Sequence, residues 1–157
     1  GFIGLGTLFF LGSLVSKRVG ERLGDAGAFA LGAALTIAGL FVTAGLIAID
    51  GRALAVAPVI AASALVGLGN ALMLTSAYRI ALSHVGKHHA GAASVALTTV
   101  QQGCFALGTA FAGAVYAGVL SQGFASAYLA AALAMAAFLA TVAVVVTVRR
   151  PLPAITG

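Results

Sequence analysis

The chain has 157 residues, of which 62% are hydrophobic and only 7% are charged, whereas a soluble domain carries roughly a quarter charged residues. A soluble protein of this length could not bury so much apolar surface, so the lipid bilayer is the first expected partner. The formal net charge is +5, but the basic residues occupy short gaps between apolar runs, and membrane topology explains them better than nucleic-acid binding does.

Five uncharged, apolar runs occur along the chain, and each predicts a transmembrane α-helix. The first run opens directly at Gly1 and is short for a hydrocarbon core of about 30 Å, so we expect that part of this helix is missing. The 59 residues before Arg149 contain no Asp, Glu, Lys or Arg, which is enough for about two spans, and Ser121-Gln122-Gly123 divides them. The predicted spans are 1–15, 26–49, 53–78, 90–120 and 124–148.

Helices explain these runs better than membrane strands do. A transmembrane strand needs about ten residues of alternating apolar and polar character, whereas these runs are longer and do not alternate. In hydrocarbon, a helix satisfies its own backbone hydrogen bonds. The predicted fold class is therefore an all-α integral membrane protein with five transmembrane helices.

Basic residues fall almost entirely into alternate gaps between the runs. With five spans, the first gap, the third gap and the tail 149–157 lie on one side of the membrane, and that side carries seven of the eight Lys and Arg residues. Because Lys and Arg favour the cytoplasmic side, we expect Gly1 toward the outside and the C-terminus in the cytoplasm.

Polar residues divide the spans into two kinds. The second and fifth runs are apolar nearly all round, and we expect them to face lipid. The third run has a weak polar stripe, and the fourth run has a stronger one within an arc of about 100°. Two interpretations of the stripes stay open, namely hydrogen bonds between helices and the lining of an aqueous pathway. The stripes comprise Ser63, Gly67, Asn70 and Tyr78 on the third run, and Gly91, Ser94, Thr98, Gln101, Gln102, Gly108, Thr109 and Tyr116 on the fourth.

Other chemistry is weakly represented. His84 and His88 are four residues apart, but Gly86 lies between them and no acidic third ligand is near, so no metal site is predicted. Cys104, the single cysteine, is expected to be a small buried residue. The common catalytic and nucleotide-binding motifs are absent from the sequence, as is any Asp or Glu within a span. Neither an enzyme nor a cofactor is predicted.

The region 67–113 combines a G-x-G span, a short basic loop, an A-G-x-A-S start, a polar patch and spaced glycines. This pattern resembles the major facilitator superfamily, and most closely its fourteen-spanner drug/proton antiporter branch. The flanking runs are similar to that family in topology only. The positions that carry the resemblance are Gly67, Gly69, Ala90, Gly91, Ala93, Ser94, Thr98, Gln101, Gln102, Gly103 and Gly108.

The first gap is similar to the degenerate second-half copy of the conserved cytoplasmic loop of that family. The fit involves Gly12, Lys17, Arg18, Arg22 and Gly24. It implies a role in cytoplasmic-loop gating for the three basic residues among them. Where the full motif is acidic this chain has a serine at position 16, which removes the carboxylate of a gating salt bridge there.

The resemblance implies that the five runs are the last five spans, from the C-terminal half of a major-facilitator-type bundle. The third and fourth runs would border the central cavity, and the second and fifth would be peripheral. Under this interpretation the substrate-pathway candidates are Asn70, Thr98, Gln101 and Gln102. The helix-packing candidates are Gly67, Gly69, Gly103 and Gly108.

The resemblance further implies part of a proton-coupled exporter of small amphipathic compounds that works by alternating access. We expect it in the plasma (inner) membrane of a bacterium, with the missing N-terminal half, a small-molecule substrate and protons as partners. The alternative is a non-transporting membrane piece, either a truncated product or a partner for another subunit. An intramembrane enzyme is disfavoured because no nucleophile–base or metal constellation is visible.

Overall fold

A computed structural model describes residues 2–50, 56–83 and 85–148, with the side chains before Arg18 left out. The described chain is helical apart from short connections. Its elements are α1 (Phe2–Asp50), α2 (Val56–Leu82), α3 (Ala90–Val119) and α4 (Phe124–Val148), with single 3-10 turns at Lys87–His89 and Leu120–Gln122.

Among the described residues, four helices are long and apolar enough to cross a membrane. They span Arg18–Ile49, Ala57–Leu82, Ala90–Gln122 and Phe124–Val148. The membrane-spanning helical class is therefore confirmed. The first predicted span, 1–15, is helical from Phe2, but its side chains lie outside the described residues, and a fifth span stays a prediction.

The first gap between apolar runs differs from the cytoplasmic loop that the sequence predicts. Helix α1 continues through it and is interrupted only at Gly24, where φ is +72° and ψ is 167°. The residues just before Gly24 include Glu, Arg and Leu, which favour helix. Gly24 itself adopts a backbone conformation that is open mainly to glycine, so the direction of the chain changes at one residue.

The turn between α3 and α4 lies where the sequence predicts it. Gly123 has a φ of +115°, which again favours glycine, and its amide donates to the carbonyl oxygen of Leu120 at 3.0 Å. Across the turn, the ring of Tyr116 packs edge-on against Phe124, with ring centroids 6.2 Å apart. This short connection makes α3 and α4 neighbours.

Helix α2 packs along the part of α1 that follows Gly24. Contact is close because small residues meet backbone there. A Cβ added to Gly32 would lie 2.6 Å from the carbonyl oxygen of Gly69 and 2.9 Å from the amide nitrogen of Met73, and one added to Gly39 would lie 2.6 Å from Val66. The residue number rises on α1 as it falls on α2, so the two helices are antiparallel.

This close contact changes the expected layering. The second run was expected to face lipid, but one side of it is buried against α2, including Ala28 and Thr36. The Thr36 hydroxyl donates to the Gly32 carbonyl oxygen at 3.0 Å within its own helix, so this buried polar group is satisfied. The fifth run, α4, contacts α1 and α3: about half of its residues are exposed, and Ala127, Ala132 and Ala136 are buried.

Candidate functional site

Tyr78, in the last turns of α2, joins that helix to the polar stripe of α3. Its hydroxyl donates to Oε1 of Gln101 at 2.6 Å and lies 3.2 Å from Oγ1 of Thr98. Helices α2 and α3 otherwise contact each other sparsely. The structure therefore brings two of the four pathway candidates together around a tyrosine that the sequence analysis placed only in the weaker stripe.

The protons of this cluster can be counted. Thr98 Oγ1 donates to the carbonyl oxygen of Ser94 at 2.9 Å, and Tyr78 donates its single proton to Gln101. Each hydroxyl has one proton and two lone pairs, so both oxygens keep acceptor capacity. The amide nitrogen of Gln101 makes no hydrogen bond to another described residue and keeps two N–H donors. The cluster can therefore bind a molecule or water that offers both donors and acceptors.

The other two pathway candidates lie apart from this cluster. Asn70 and Gln102 are both exposed, and neither hydrogen-bonds to another described residue. Asn70 is eight residues before Tyr78, which is about 12 Å along α2. Gln102 is the neighbour of Gln101 and is turned about 100° from it around α3.

Helix α3 has two contrasting exposed faces. Within the described part of the chain, none of its residues is buried. One face carries Thr98, Gln102 and Thr109, while Val100 and Leu107 are exposed on the other side of the helix at 62% and 73%. Lipid suits the apolar face. Two glutamines near the middle of a span are costly unless they meet polar partners or water.

The helix-packing candidates differ in their surroundings. Gly69 lies in the contact with α1, where an added Cβ would meet the side chain and backbone of Thr36 and the carbonyl oxygen of Gly32. At Gly67, Gly103 and Gly108, no described atom lies within 4 Å of an added Cβ. Of these three, only Gly108 belongs to the polar stripe of α3, and no other described helix covers the stripe at that position.

The cytoplasmic-loop candidates lie on the helical segment before Gly24. Arg18 and Arg22 are exposed, and the side chain of Lys17 lies outside the described residues. Together with Val19, Glu21 and Leu23, the two arginines line an open cavity of about 580 Å³. No described ion pair involves Arg18 or Arg22, so both guanidinium groups are available to anionic groups at a membrane surface.

An ion pair that the sequence analysis did not predict ties α2 to α1 close to these arginines. Nη1 of Arg79 lies 3.5 Å from Oδ1 of Asp25, and both side chains are more than a third exposed. An exposed pair of this kind contributes at most about 1 kcal/mol. Its position matters more than its strength, because Asp25 immediately follows the break at Gly24.

The single cysteine and the histidine pair remain to be compared with the sequence predictions. Cys104, expected to be buried, is exposed on α3. His84 lies outside the described residues and His88 is exposed. Among the residues that the structure describes, no group of three or more His, Cys, Asp or Glu side chains could hold a metal ion.

The fold and this cluster define the class of the chain as a multi-pass, α-helical membrane protein. No family model, no curated protein and no solved structure matches the chain.

Proposed function

We propose that this chain is part of a secondary active transporter of the major-facilitator type, an exporter of small amphipathic compounds that works by alternating access. In this proposal the polar face of α3, together with Tyr78, borders the substrate pathway. The observation that supports it most directly is the Tyr78–Gln101–Thr98 cluster on a helix without buried residues. Gln101 is 11 residues from the start of α3, or about 17 Å into a helix of about 45 Å, which suits a site near the membrane midplane.

The chemistry of the cluster fits compounds that are partly polar and partly apolar. Gln101 offers amide donors, and Tyr78 and Thr98 offer acceptor lone pairs. Phe105, four residues after Gln101, is exposed at 48% on the same side of α3 and adds an aromatic surface. A flat or elongated molecule with one polar end could therefore contact both the ring and the hydrogen-bonding groups.

Proton coupling would depend on carboxylates that the polar face of α3 lacks. Glu21 and Asp25 lie on either side of the break at Gly24, and Asp50 is the last residue of α1. In this proposal the chain contributes substrate contacts, and the other half of the transporter contributes the proton-carrying groups. Its location would be the plasma (inner) membrane of a bacterium, with the C-terminal tail in the cytoplasm.

The alternative is a non-transporting membrane chain that pairs with another subunit. The absence of buried residues on α3 also supports this function, because a helix of a partner protein could cover the polar face. In that case Gln102 and Thr98 would hydrogen-bond to the partner and not to water. The two functions therefore differ in whether water reaches the polar face.

Cysteine accessibility distinguishes the two functions without a known substrate. Single cysteines are placed at Thr98, Gln102 and Val100 in a Cys104→Ser background, in the complete protein in its membrane. A membrane-impermeant thiol reagent is then applied. The thiolate is the nucleophile that attacks the reagent, and it forms where water is present. Val100 is the matched control, since it lies within about 3 Å of the depth of the other two positions and about 200° around the helix from each.

A water-accessible pathway predicts fast reaction at positions 98 and 102 and slow reaction at position 100. Uniformly slow reaction would mean that the polar face is covered by protein, and the transporter proposal would give way to the partner-subunit function. Equal, fast reaction at all three positions would show that α3 is not a membrane span with one wet face, and it would overturn both.

A further inference from the structure

Arg79 contacts α1 on both sides of the break at Gly24. Asp25, just after the break, lies 3.5 Å from Nη1 of Arg79. A Cβ added to Gly20, one helical turn before the break, would lie 2.5 Å from the same Nη1. A single guanidinium group therefore rests on the backbone of Gly20 and pairs with the carboxylate of Asp25.

At the break, Cβ of Leu23 on one side lies 3.0 Å from a Cβ added to Gly27 on the other. Gly24 has a positive φ, and no described atom lies within 4 Å of an added Cβ there. The direction of the segment before Gly24 relative to the segment after it must therefore be fixed by contacts on either side. Arg79 supplies one such contact on each side, and its planar fork of five N–H donors can bond to two groups at once.

Tyr78 is the neighbour of Arg79 and faces the opposite helix. Successive residues on a helix point about 100° apart, so Arg79 reaches α1 while Tyr78 reaches Gln101 and Thr98 on α3. One turn earlier, Ser76 is fully buried. The end of α2, which finishes at Leu82, is thus held on one side by Arg79 and on the other by Tyr78.

We infer that Arg79 is a positioning residue for the polar cluster: by holding the last turns of α2 to both sides of the Gly24 break, it places the Tyr78 hydroxyl against Gln101. Any effect of Arg79 on transport rests on the proposed function, whereas its positioning of Tyr78 does not. Movement of the segment before Gly24 is transmitted through Arg79 and Tyr78 to the polar face of α3.

Pulsed electron paramagnetic resonance on the complete protein tests this inference. A nitroxide is attached to the native, exposed Cys104 on α3 and paired in turn with a second label. Arg22→Cys reports the segment before the break, and Ile60→Cys, at an exposed position of α2, reports the distance between α2 and α3. Both distance distributions are measured with Arg79 intact, with Arg79→Gln, and with Asp25 and Arg79 exchanged in one protein.

Arg79→Gln is expected to broaden both distributions roughly twofold, because helix ends fray when their ties are removed. The exchange of Asp25 and Arg79 is expected to restore most of the lost order. Arg18→Gln is the matched control, an exposed arginine on the same segment that is expected to change neither distribution. Tyr78→Phe is expected to broaden the Ile60 pair.

The outcomes separate the parts of the inference. Broadening of the Arg22 pair alone would mean that Arg79 holds the break but does not position Tyr78, and the inference would be overturned. Unchanged distance distributions in both label pairs would show, in addition, that Arg79 does not hold the two sides of the Gly24 break. A thermal melt of each variant excludes general unfolding as the cause, and the exchanged protein serves as the second variant if Arg79→Gln does not fold. Cysteine accessibility on α3 is measured separately. The proposed function is therefore decided by that measurement, even if the distance measurements overturn the positioning role of Arg79.

Discussion

Substitution of Gly69 by alanine tests the contact between α1 and α2. The added methyl group would meet the carbonyl oxygen of Gly32 at 2.5 Å and the amide nitrogen of Thr36 at 2.7 Å. Both atoms belong to backbone and cannot rotate away. Relief to an ordinary contact of about 3.4 Å requires the helices to separate by roughly 0.9 Å, and a radial gap of that size forfeits a quarter to a half of the dispersion energy of the atoms that line it.

The expected loss of stability follows from two opposing effects. Overpacking of this kind costs about 1–3 kcal/mol, whereas alanine is favoured over glycine in a helix by up to about 1 kcal/mol. The net expectation is a decrease of about 0–2 kcal/mol in the free energy of unfolding. It is measured by denaturant titration of the purified protein in detergent, followed by circular dichroism.

Gly67→Ala is the matched control, because it is on the same helix two residues earlier and has no described atom within 4 Å of the added methyl group. It receives the same helix preference without the clash and is expected to be neutral or slightly stabilising. The difference between the two variants isolates the contact. Equal stability of Gly69→Ala and Gly67→Ala would refute the close packing of α1 on α2.

Two further predictions concern a buried hydroxyl and the topology. Ser76 Oγ is fully buried without a hydrogen-bond partner among the described residues, so Ser76→Ala is expected to raise the free energy of unfolding by about 1 kcal/mol. Thr36→Ala removes a satisfied buried hydroxyl and is expected to lower the free energy of unfolding by a similar amount. The same denaturant titration checks both variants, and a lower free energy of unfolding for Ser76→Ala would show that its hydroxyl has a partner. Single cysteines at Lys87 and Arg52 are expected to react with an impermeant reagent from the cytoplasmic and outer sides respectively, and reaction of both from outside would remove the predicted orientation.

The sequence predicts the helices well because their signals are local. An uncharged run longer than about 20 residues requires a helix in hydrocarbon, and the extents of α3 and α4 follow from that requirement, whereas α2 continues past Arg79 to Leu82, four residues beyond its predicted end. The turn at 121–123 follows from a serine, a glutamine and a glycine in an otherwise apolar stretch. The break at Gly24 is harder to predict, because the charged residues before it indicate a loop, although Arg, Glu and Leu also favour helix.

Which faces meet was not predictable in the same way, because helix pairing depends on residues far apart in the chain. Gly32, Thr36 and Gly39 have the three- and four-residue spacing of a close helix contact, and in the structure they meet α2. Gly103 and Gly108 on α3 are equally small, yet no described atom closes on them. Small residues indicate that a helix can be approached closely, and only the fold decides whether another helix does so.

Helix α2 is held to α1 and to α3 by interactions of different strength. This difference determines which pair of helices separates most easily. Separation of α2 from α1 would break the close contacts of Gly32, Thr36 and Gly39 with the backbone of α2, in which many small dispersion terms add up, and also the ion pair of Asp25 with Arg79. Separation of α2 from α3 would cost chiefly the hydrogen bond from Tyr78 to Gln101, and a hydrogen bond between membrane helices contributes about 0.6 kcal/mol on average. A change of shape at this end of the molecule therefore moves α3 against a fixed pair that consists of α2 and the part of α1 after Gly24. Gln101 belongs to α3, which moves, and Tyr78 belongs to α2, which stays in place. The polar cluster therefore lies at the boundary between the two helices, and such a movement would form or break its contacts.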